Sequence, residues 1–121
     1  MPKHLREDSK KISKSTPKPN QLPTHAPSLD HYSIKKASLI FRAINHKLRQ
    51  DIVRFIDNKA HVTVTQIFVE MRLEQSVASQ HLAILRRAGI VITEREGKFM
   101  YYKLNMKRLA LINQMVTDLL K

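Results

Sequence analysis

The chain has 121 residues, no cysteine and a formal net charge of +12 at neutral pH. This length allows one domain, and the lack of cysteine excludes disulfides, thiolate metal sites and thiol redox chemistry. The positive charge favours a polyanionic partner, most commonly nucleic acid, although basicity can also serve solubility alone.

Residues 1–27 are predicted to form a disordered basic tail. All five prolines lie there, whereas both glycines lie far downstream. The tail has six basic and two acidic side chains, a net of +4, which leaves +8 on residues 28–121. Too few large apolar residues are present in the tail for it to order itself. It is either an arm that adds phosphate contacts or a plain solvated extension.

The sequence predicts a cytoplasmic protein with no membrane partner. No apolar run approaches the roughly 20 residues that a membrane span needs. The start of the chain also lacks the apolar core of a signal peptide.

Two helices are predicted at the start of the domain, over residues 30–45 and 46–58. Asp30 or Ser28 can cap the first. Apolar residues nearly encircle this helix, more than one buried face requires. This surplus predicts contact with a second copy of the chain, through Ile34, Leu39, Ile40 and Phe41. The second helix is predicted to bury Leu48, Ile52, Val53, Phe55 and Ile56.

A helix-turn-helix is predicted next, after a short strand over residues 62–64. Its first helix covers residues 66–71, with Ile67, Phe68 and Met71 inward. In its second helix, Ala78, Leu82 and Leu85 share one buried face, and Gly89 ends the helix. Glu74 stands at the capping position, where glutamate is weak. The helix therefore begins either near Gln75 or later, with Ser76 as its cap.

The opposite face of this second helix is unusual because it is uncharged for two turns and then basic. It carries Ser76, Ser79, Gln80, Ala83 and Arg87. Exposed helical faces are commonly filled with glutamate and lysine. Short polar side chains can approach base edges in a DNA major groove, although an ordinary solvated face fits this helix, taken alone, equally well.

A β-hairpin and a last helix complete the domain. Residues 90–95 and 99–104 are rich in β-branched and aromatic side chains, with Gly97 between them. A hairpin after a helix-turn-helix makes a winged helix. Asn105 is predicted to cap a helix over residues 106–120. This helix again has surplus apolar residues, and those predicted to contact a second copy are Leu109, Ile112, Met115, Val116 and Leu119.

The run Leu73-x-Gln75-Ser76-x-Ala78-Ser79-x-His81-Leu82-x-x-Leu85-Arg86-x-Ala88-Gly89-Ile90-Val91, followed by Arg95-x-Gly97-x-x-x-Tyr101-Tyr102-x-Leu104, resembles the ArsR/SmtB family of bacterial winged-helix repressors. The resemblance covers about residues 30–120. It implies a mostly α fold with a small β-hairpin wing, a winged helix-turn-helix that dimerises through its first and last helices. A twofold dimer would place its two recognition helices about one DNA turn, ~34 Å, apart on a near-palindrome.

The expected function is sequence-specific binding of a double-stranded DNA operator by a homodimeric transcriptional repressor. Base contacts are expected from Gln75, Ser76, Val77, Ser79 and Gln80, and phosphate contacts from Arg86, Arg87, Arg95 and Lys98. The alternative is a non-specific nucleoid-type DNA binder or a protein-interaction module on the same fold. No enzyme is expected, because no nucleophile–base arrangement or glycine-rich phosphate loop is present.

The metal sites that the resemblance implies are missing from the sequence, and no cofactor is expected. Thr63, Val64 and Thr65 stand where metal-sensing members carry Cys-Val-Cys, and hydroxyls are poor ligands for such metals. The last helix has no histidine. His25 and His31 remain a weak zinc candidate that needs a ligand from a partner subunit. The effector is an unidentified small molecule or protein, or there is none.

His81 is expected to pack beside Val77 and Ile84, or to bond a backbone carbonyl, rather than to contact DNA.

Overall fold

The computed structural model describes residues 24–121, and within them His31–Lys121 form five helices and one two-stranded sheet. The elements are α1 (His31–Ile44), α2 (Lys47–Lys59), α3 (Val64–Glu70), α4 (Gln75–Arg87), β1 (Val91–Glu96), β2 (Phe99–Leu104) and α5 (Met106–Leu119). This order confirms the predicted mostly α fold with a β-hairpin wing. Most of the predicted tail lies outside the described residues. Residues 24–30 are exposed and belong to no helix or strand.

The core lies where α2, α3 and α4 meet the start of the hairpin. Ile52, Ile67, Leu82 and Leu85 are each at most 1% exposed, as is Ile90 ahead of β1. Each side chain of this size contributes about 1.5–3 kcal/mol when it is fully buried. The apolar periodicity of the sequence therefore identified the inward faces of these helices correctly.

The predicted strand over residues 62–64 is wrong beyond its first residue. Val62 pairs with Tyr102 of β2 through two backbone hydrogen bonds, but the pairing stops there. The Thr63 hydroxyl accepts from the backbone of Gln66, and the Gln66 side chain accepts from the backbone of Thr63. This capping box starts α3 at Val64, two residues earlier than predicted.

The helices at the two ends of the domain keep much of their apolar surface exposed. Ile34 and Leu39 of α1 are 47% and 49% exposed, and Met115 and Leu119 of α5 are 41% and 75% exposed. The predicted surplus of apolar surface is therefore present. Among residues 24–121, no helix is both long and apolar enough to cross a membrane.

Candidate nucleic-acid interface

The turn between α3 and α4 sets the direction of α4. Arg72 adopts a left-handed conformation with φ of 58°, and the amide of Leu73 donates to the carbonyl of Phe68 at 2.8 Å. A non-glycine residue in this region carries strain. Nothing in the sequence marked Arg72 for this conformation, because glycine or asparagine is the usual signal.

Helix α4 begins at Gln75, so the alternative of a later start capped by Ser76 is wrong. Glu74 occupies the cap position without a side-chain hydrogen bond, as its weak capping tendency predicts. Its backbone carbonyl still accepts from the amide of Ala78 at 3.0 Å. Gln75 therefore remains on the helix as a candidate base contact.

At its other end, α4 is terminated by a glycine, as predicted. Gly89 has φ of 74° and donates from its amide to Arg86, while the amide of Ile90 reaches back to Leu85. This pair of bonds needs a residue that tolerates the left-handed region. The chain then reverses directly into the hairpin, which fixes the wing relative to α4.

The outer face of α4 is open to solvent along its first three turns. Ala78, Leu82 and Leu85 are at most 1% exposed and fix the opposite face in the core. The exposed side chains are Gln75, Ser76, Ser79, Gln80 and Ala83. None of them forms a side-chain hydrogen bond with another residue in the described part of the chain. Their polar groups are therefore available to an external partner, whereas Val77 is half-buried at the border of this face.

The wing is a tight hairpin with a basic tip. Glu96 pairs with Phe99, so Gly97 and Lys98 form a two-residue turn, and Gly97 has φ of 64°. This is the kind of turn that hairpins favour. Arg95 and Lys98 are exposed and form no ion pair with any residue between 24 and 121.

The Lys103 cation, near the base of the wing, is neutralised instead. The Lys103 ammonium lies 2.9 Å from the Glu94 carboxylate across the two strands. This hydrogen bond raises the pKa of Lys103 and lowers that of Glu94. The free positive charge of the wing is therefore concentrated at its tip.

A cleft of about 390 Å³ runs between the outer part of α4 and the base of the wing. Ser79, Ala83, Arg86, Arg87 and Tyr102 line it. Arg86 is exposed beside Ser79, and the Arg87 guanidinium also donates to the carbonyl of Ala83 at 3.3 Å. Tyr102 is a wall of this cleft that the sequence interpretation missed.

His81 contacts two side chains that the sequence interpretation did not name. Its Nδ1 lies 3.2 Å from the Arg49 guanidinium, and its ring centroid lies 4.9 Å from that of His46. Burial lowers the pKa of His81, and His46 and Arg49 lower it further. The expected backbone carbonyl bond is absent from the described contacts, and Arg49 was not foreseen because its sequence position suggests an exposed helical arginine.

No group of three or more histidine, aspartate or glutamate side chains within residues 24–121 is arranged to hold a metal ion.

Comparison with known proteins identifies the family to which this chain belongs. The model of the bacterial regulatory protein, arsR family, matches residues 46–93, which include α3, α4 and the start of the wing. The transcriptional regulator YbzH of Bacillus subtilis, itself uncharacterized, is 35% identical over 78 residues, which span 53% of this chain and 78% of that protein. The chain belongs to the ArsR family. It is thus a DNA-binding transcriptional regulator and not an enzyme.

The relatives of this chain include both an activator and a repressor of transcription. The transcriptional activator HlyU of Vibrio cholerae is 31% identical over 83 residues, covering 69% of this chain and 75% of HlyU. The crystal structure of the transcriptional repressor PagR of Bacillus anthracis superposes with a TM-score of 0.58 at 28% identity, covering 71% of this chain and 99% of PagR. The winged helix-turn-helix architecture is therefore shared along nearly the whole of PagR.

Proposed function

We propose that this protein is a sequence-specific repressor that binds a double-stranded DNA operator as a homodimer. The observation that carries the proposal is the exposed outer face of α4, which is polar and uncharged at Ser76, Ser79 and Gln80. Glutamine can form two hydrogen bonds with adenine, and serine can bond several base acceptors. A non-specific binder gains more from lysine and arginine at these positions, because phosphate attraction alone holds it.

The charged side chains stand where they can fix α4 on the duplex. Arg95 and Lys98 project from the wing, and Arg86 and Arg87 follow the polar face on the same helix. Contacts to phosphates set the register of a protein on DNA without reading its sequence. We assign these four cations to phosphates, and Gln75, Ser76, Val77, Ser79 and Gln80 to base edges. Val77 is the least accessible of the five.

The dimer is proposed to form through α1 and α5. Their exposed apolar side chains include Ile34, Leu39, Met115, Val116 and Leu119. Ile40, Phe41 and Leu109 are half-buried and border the same surface. Ile112 is only 8% exposed because it packs in the core of its own protomer, so it supports this interface from behind and has little area left for a partner.

Repression, rather than activation, is supported by the names of several relatives. PagR, SdpR of Bacillus subtilis and the arsenical resistance operon repressor of Escherichia coli are repressors, against one activator, HlyU. We propose that the chain divides into a basic tail, residues 1–27, and a DNA-binding and dimerisation domain, residues 28–121.

Selection from a random pool of double-stranded DNA tests the function. The full chain should recover one inverted repeat whose half-sites lie about one helical turn, ~34 Å, apart. Recovery of bound DNA without a common motif would contradict sequence-specific binding and favour the non-specific role.

A further inference from the structure

A second concave surface lies at the C-terminal end of α4, away from the start of the polar face. A cavity of about 540 Å³ opens there between α1, α2, α4 and the first turns of α5. Leu39, Ile84 and Ala88 are among the apolar side chains that line it. Its basic lining residues are Lys36, Arg42, Arg49, Arg87 and Arg108. The size is within the range of small-molecule sites, roughly 300–1,000 Å³.

No described residue that lines this cavity is acidic. The ion pairs formed within residues 24–121 use Asp51, Glu70, Glu94 and Asp118, and none of them involves a cation of the cavity. Positive charges that share one wall repel each other, and the repulsion is stronger where water is partly excluded. An anion in the cavity would relieve it.

Arg49 is the most deeply placed of these cations, at 8% exposed. Its guanidinium donates to the carbonyls of Ala43 at 2.6 Å and Arg42 at 3.2 Å, and it lies against His81. The carbonyls at the end of α1 carry partial negative charge, but all three partners are formally neutral. Buried charges in proteins are usually paired with an opposite charge, so Arg49 gives the cavity an uncompensated positive wall.

Arg108 contributes a second guanidinium to the cavity wall. Its side chain forms no hydrogen bond or ion pair with the described residues. A Cβ at Gly89 would lie 3.3 Å from Nε and from Nη2 of Arg108, so the lack of a side chain at Gly89 lets this guanidinium lie close over the end of α4. The planar fork of arginine matches the two oxygens of a carboxylate.

We infer that this cavity binds a small organic anion with an apolar body, of the class of medium-chain carboxylates. The acid group would face Arg49 and Arg108, and the hydrocarbon part would lie along Leu39, Ile84 and Ala88. The cavity borders the proposed dimer surface at Leu39 and Ile40. A second copy could cover its edge but would bring few negative charges, because α1 has no acidic residue and α5 has only Asp118, which lies 3.5 Å from Lys121.

The binding site has a consequence for regulation that rests on the proposed function. Ile84, Arg87, Ala88 and Gly89 belong to α4 or its terminus, so the same helix would contact the ligand at one end and DNA at the other. An occupant that prefers one position of α4 would change DNA affinity by its difference in affinity for the two positions.

The two glycines of the chain provide a direct test. Protein labelled with ¹⁵N-glycine gives two backbone signals, from Gly89 at the cavity and Gly97 at the wing tip. Decanoate, titrated below its micelle concentration at constant ionic strength, should shift the Gly89 signal in a saturable way and leave the Gly97 signal in place. Decyltrimethylammonium, with the same tail and the opposite charge, should shift neither signal.

Two variants make the test specific for the cavity. Arg108→Met should weaken decanoate binding by about ten-fold or more, because it removes a charge-assisted hydrogen bond. Lys107→Met should bind as the unchanged protein does, since Lys107 is exposed and does not line the cavity. If Arg108→Met alters the Gly97 signal by itself, Lys36→Met at the rim replaces it.

The inference is overturned if Gly89 does not respond to decanoate, if the cationic analogue shifts it equally, or if the variants that remove a cavity cation bind decanoate undiminished. No DNA is present in these titrations. A lack of decanoate binding would therefore not contradict the proposed operator binding. A lack of operator binding would likewise not contradict decanoate binding.

Discussion

Arg49 connects three helices through one guanidinium. It extends from α2, donates to two carbonyls at the end of α1, and meets His81 on α4. Arginine can only donate, so Nδ1 of His81 must accept, and a neutral ring then carries its proton on Nε2. The sequence did not predict this contact, because residues 49 and 81 are far apart in the chain and neither apolar periodicity nor a motif joins them.

Stability should fall in mild acid because of His81. Its pKa in the folded chain is below the ordinary 6.5, chiefly through burial, with His46 and Arg49 nearby. Just below about pH 6.5 the unfolded chain therefore binds the proton more readily, and stability falls as pH falls. Protonating Nδ1 also breaks its bond to Arg49. Urea unfolding between about pH 7 and pH 5 should show a falling free energy of unfolding.

His81→Gln should flatten this part of the stability curve, since the glutamine oxygen can accept from Arg49 without titrating. His25→Gln, at an exposed position outside the helices, serves as the matched control and should keep the full dependence. An equal loss of stability on acidification in unchanged protein and in His81→Gln would show that the dependence has another source.

Lys98 at the wing tip should contribute to affinity without contributing to specificity. Lys98→Ala removes one phosphate contact, so all DNA sequences should bind more weakly by a similar factor, and the slope of log K against log salt should fall in magnitude by about 1. Fluorescence anisotropy at several salt concentrations measures both. Lys107→Ala, an exposed lysine on α5, should leave the slope unchanged; a sequence-dependent loss in Lys98→Ala would refute the phosphate assignment.

Helix boundaries that followed from side-chain periodicity were predicted well, whereas those set by local hydrogen bonds were not. The buried stripe of Ala78, Leu82 and Leu85 and the stop at Gly89 located α4 closely. The start of α3 was missed because Thr63 resembles a strand residue by propensity, whereas its hydroxyl caps a helix. The left-handed conformation of Arg72 could not be predicted either, because arginine has no preference for that conformation.

The Thr63 hydroxyl in the capping box of α3 should contribute to the stability of the protein. Thr63→Ala should reduce the free energy of unfolding by about 0.5–2 kcal/mol, because the amide of Gln66 loses its acceptor. Thr65→Ala, on the exposed side of the same helix, removes a hydroxyl with no such bond and should change stability little. Chemical denaturation of the two variants side by side distinguishes a cap from a general preference for alanine.

The first and last helices, α1 and α5, are incompletely covered in a single protomer. Apolar surface of this extent is usually an interaction site, and the sequence anticipated it from helices with too many apolar residues for one face. It could not tell that Ile112 would be buried within the protomer, because periodicity does not separate the inner from the outer part of a wide apolar stripe.

The mass of the protein in solution tests whether it forms a dimer. Sedimentation equilibrium should give about twice the protomer mass of 14.1 kDa, and the double variant Met115→Glu with Leu119→Glu should give one protomer, since charges at exposed apolar positions oppose association. Thr117→Glu places a charge on the opposite side of α5 and should remain dimeric. A monomeric unchanged protein, or a dimer that persists in the double variant, would contradict assembly through α5.

If the outer face of α4 contacts DNA bases, a change at Gln80 should alter the sequence that the protein prefers. Selection of bound DNA from one random pool, by the unchanged protein and by Gln80→Ala, measures this preference. Both proteins should recover an inverted repeat, and the variant should lose preference at one base pair in each half-site, worth about 1–3 kcal/mol there. An identical motif from both proteins, with the variant folded and dimeric, would contradict the assignment of this face to base recognition.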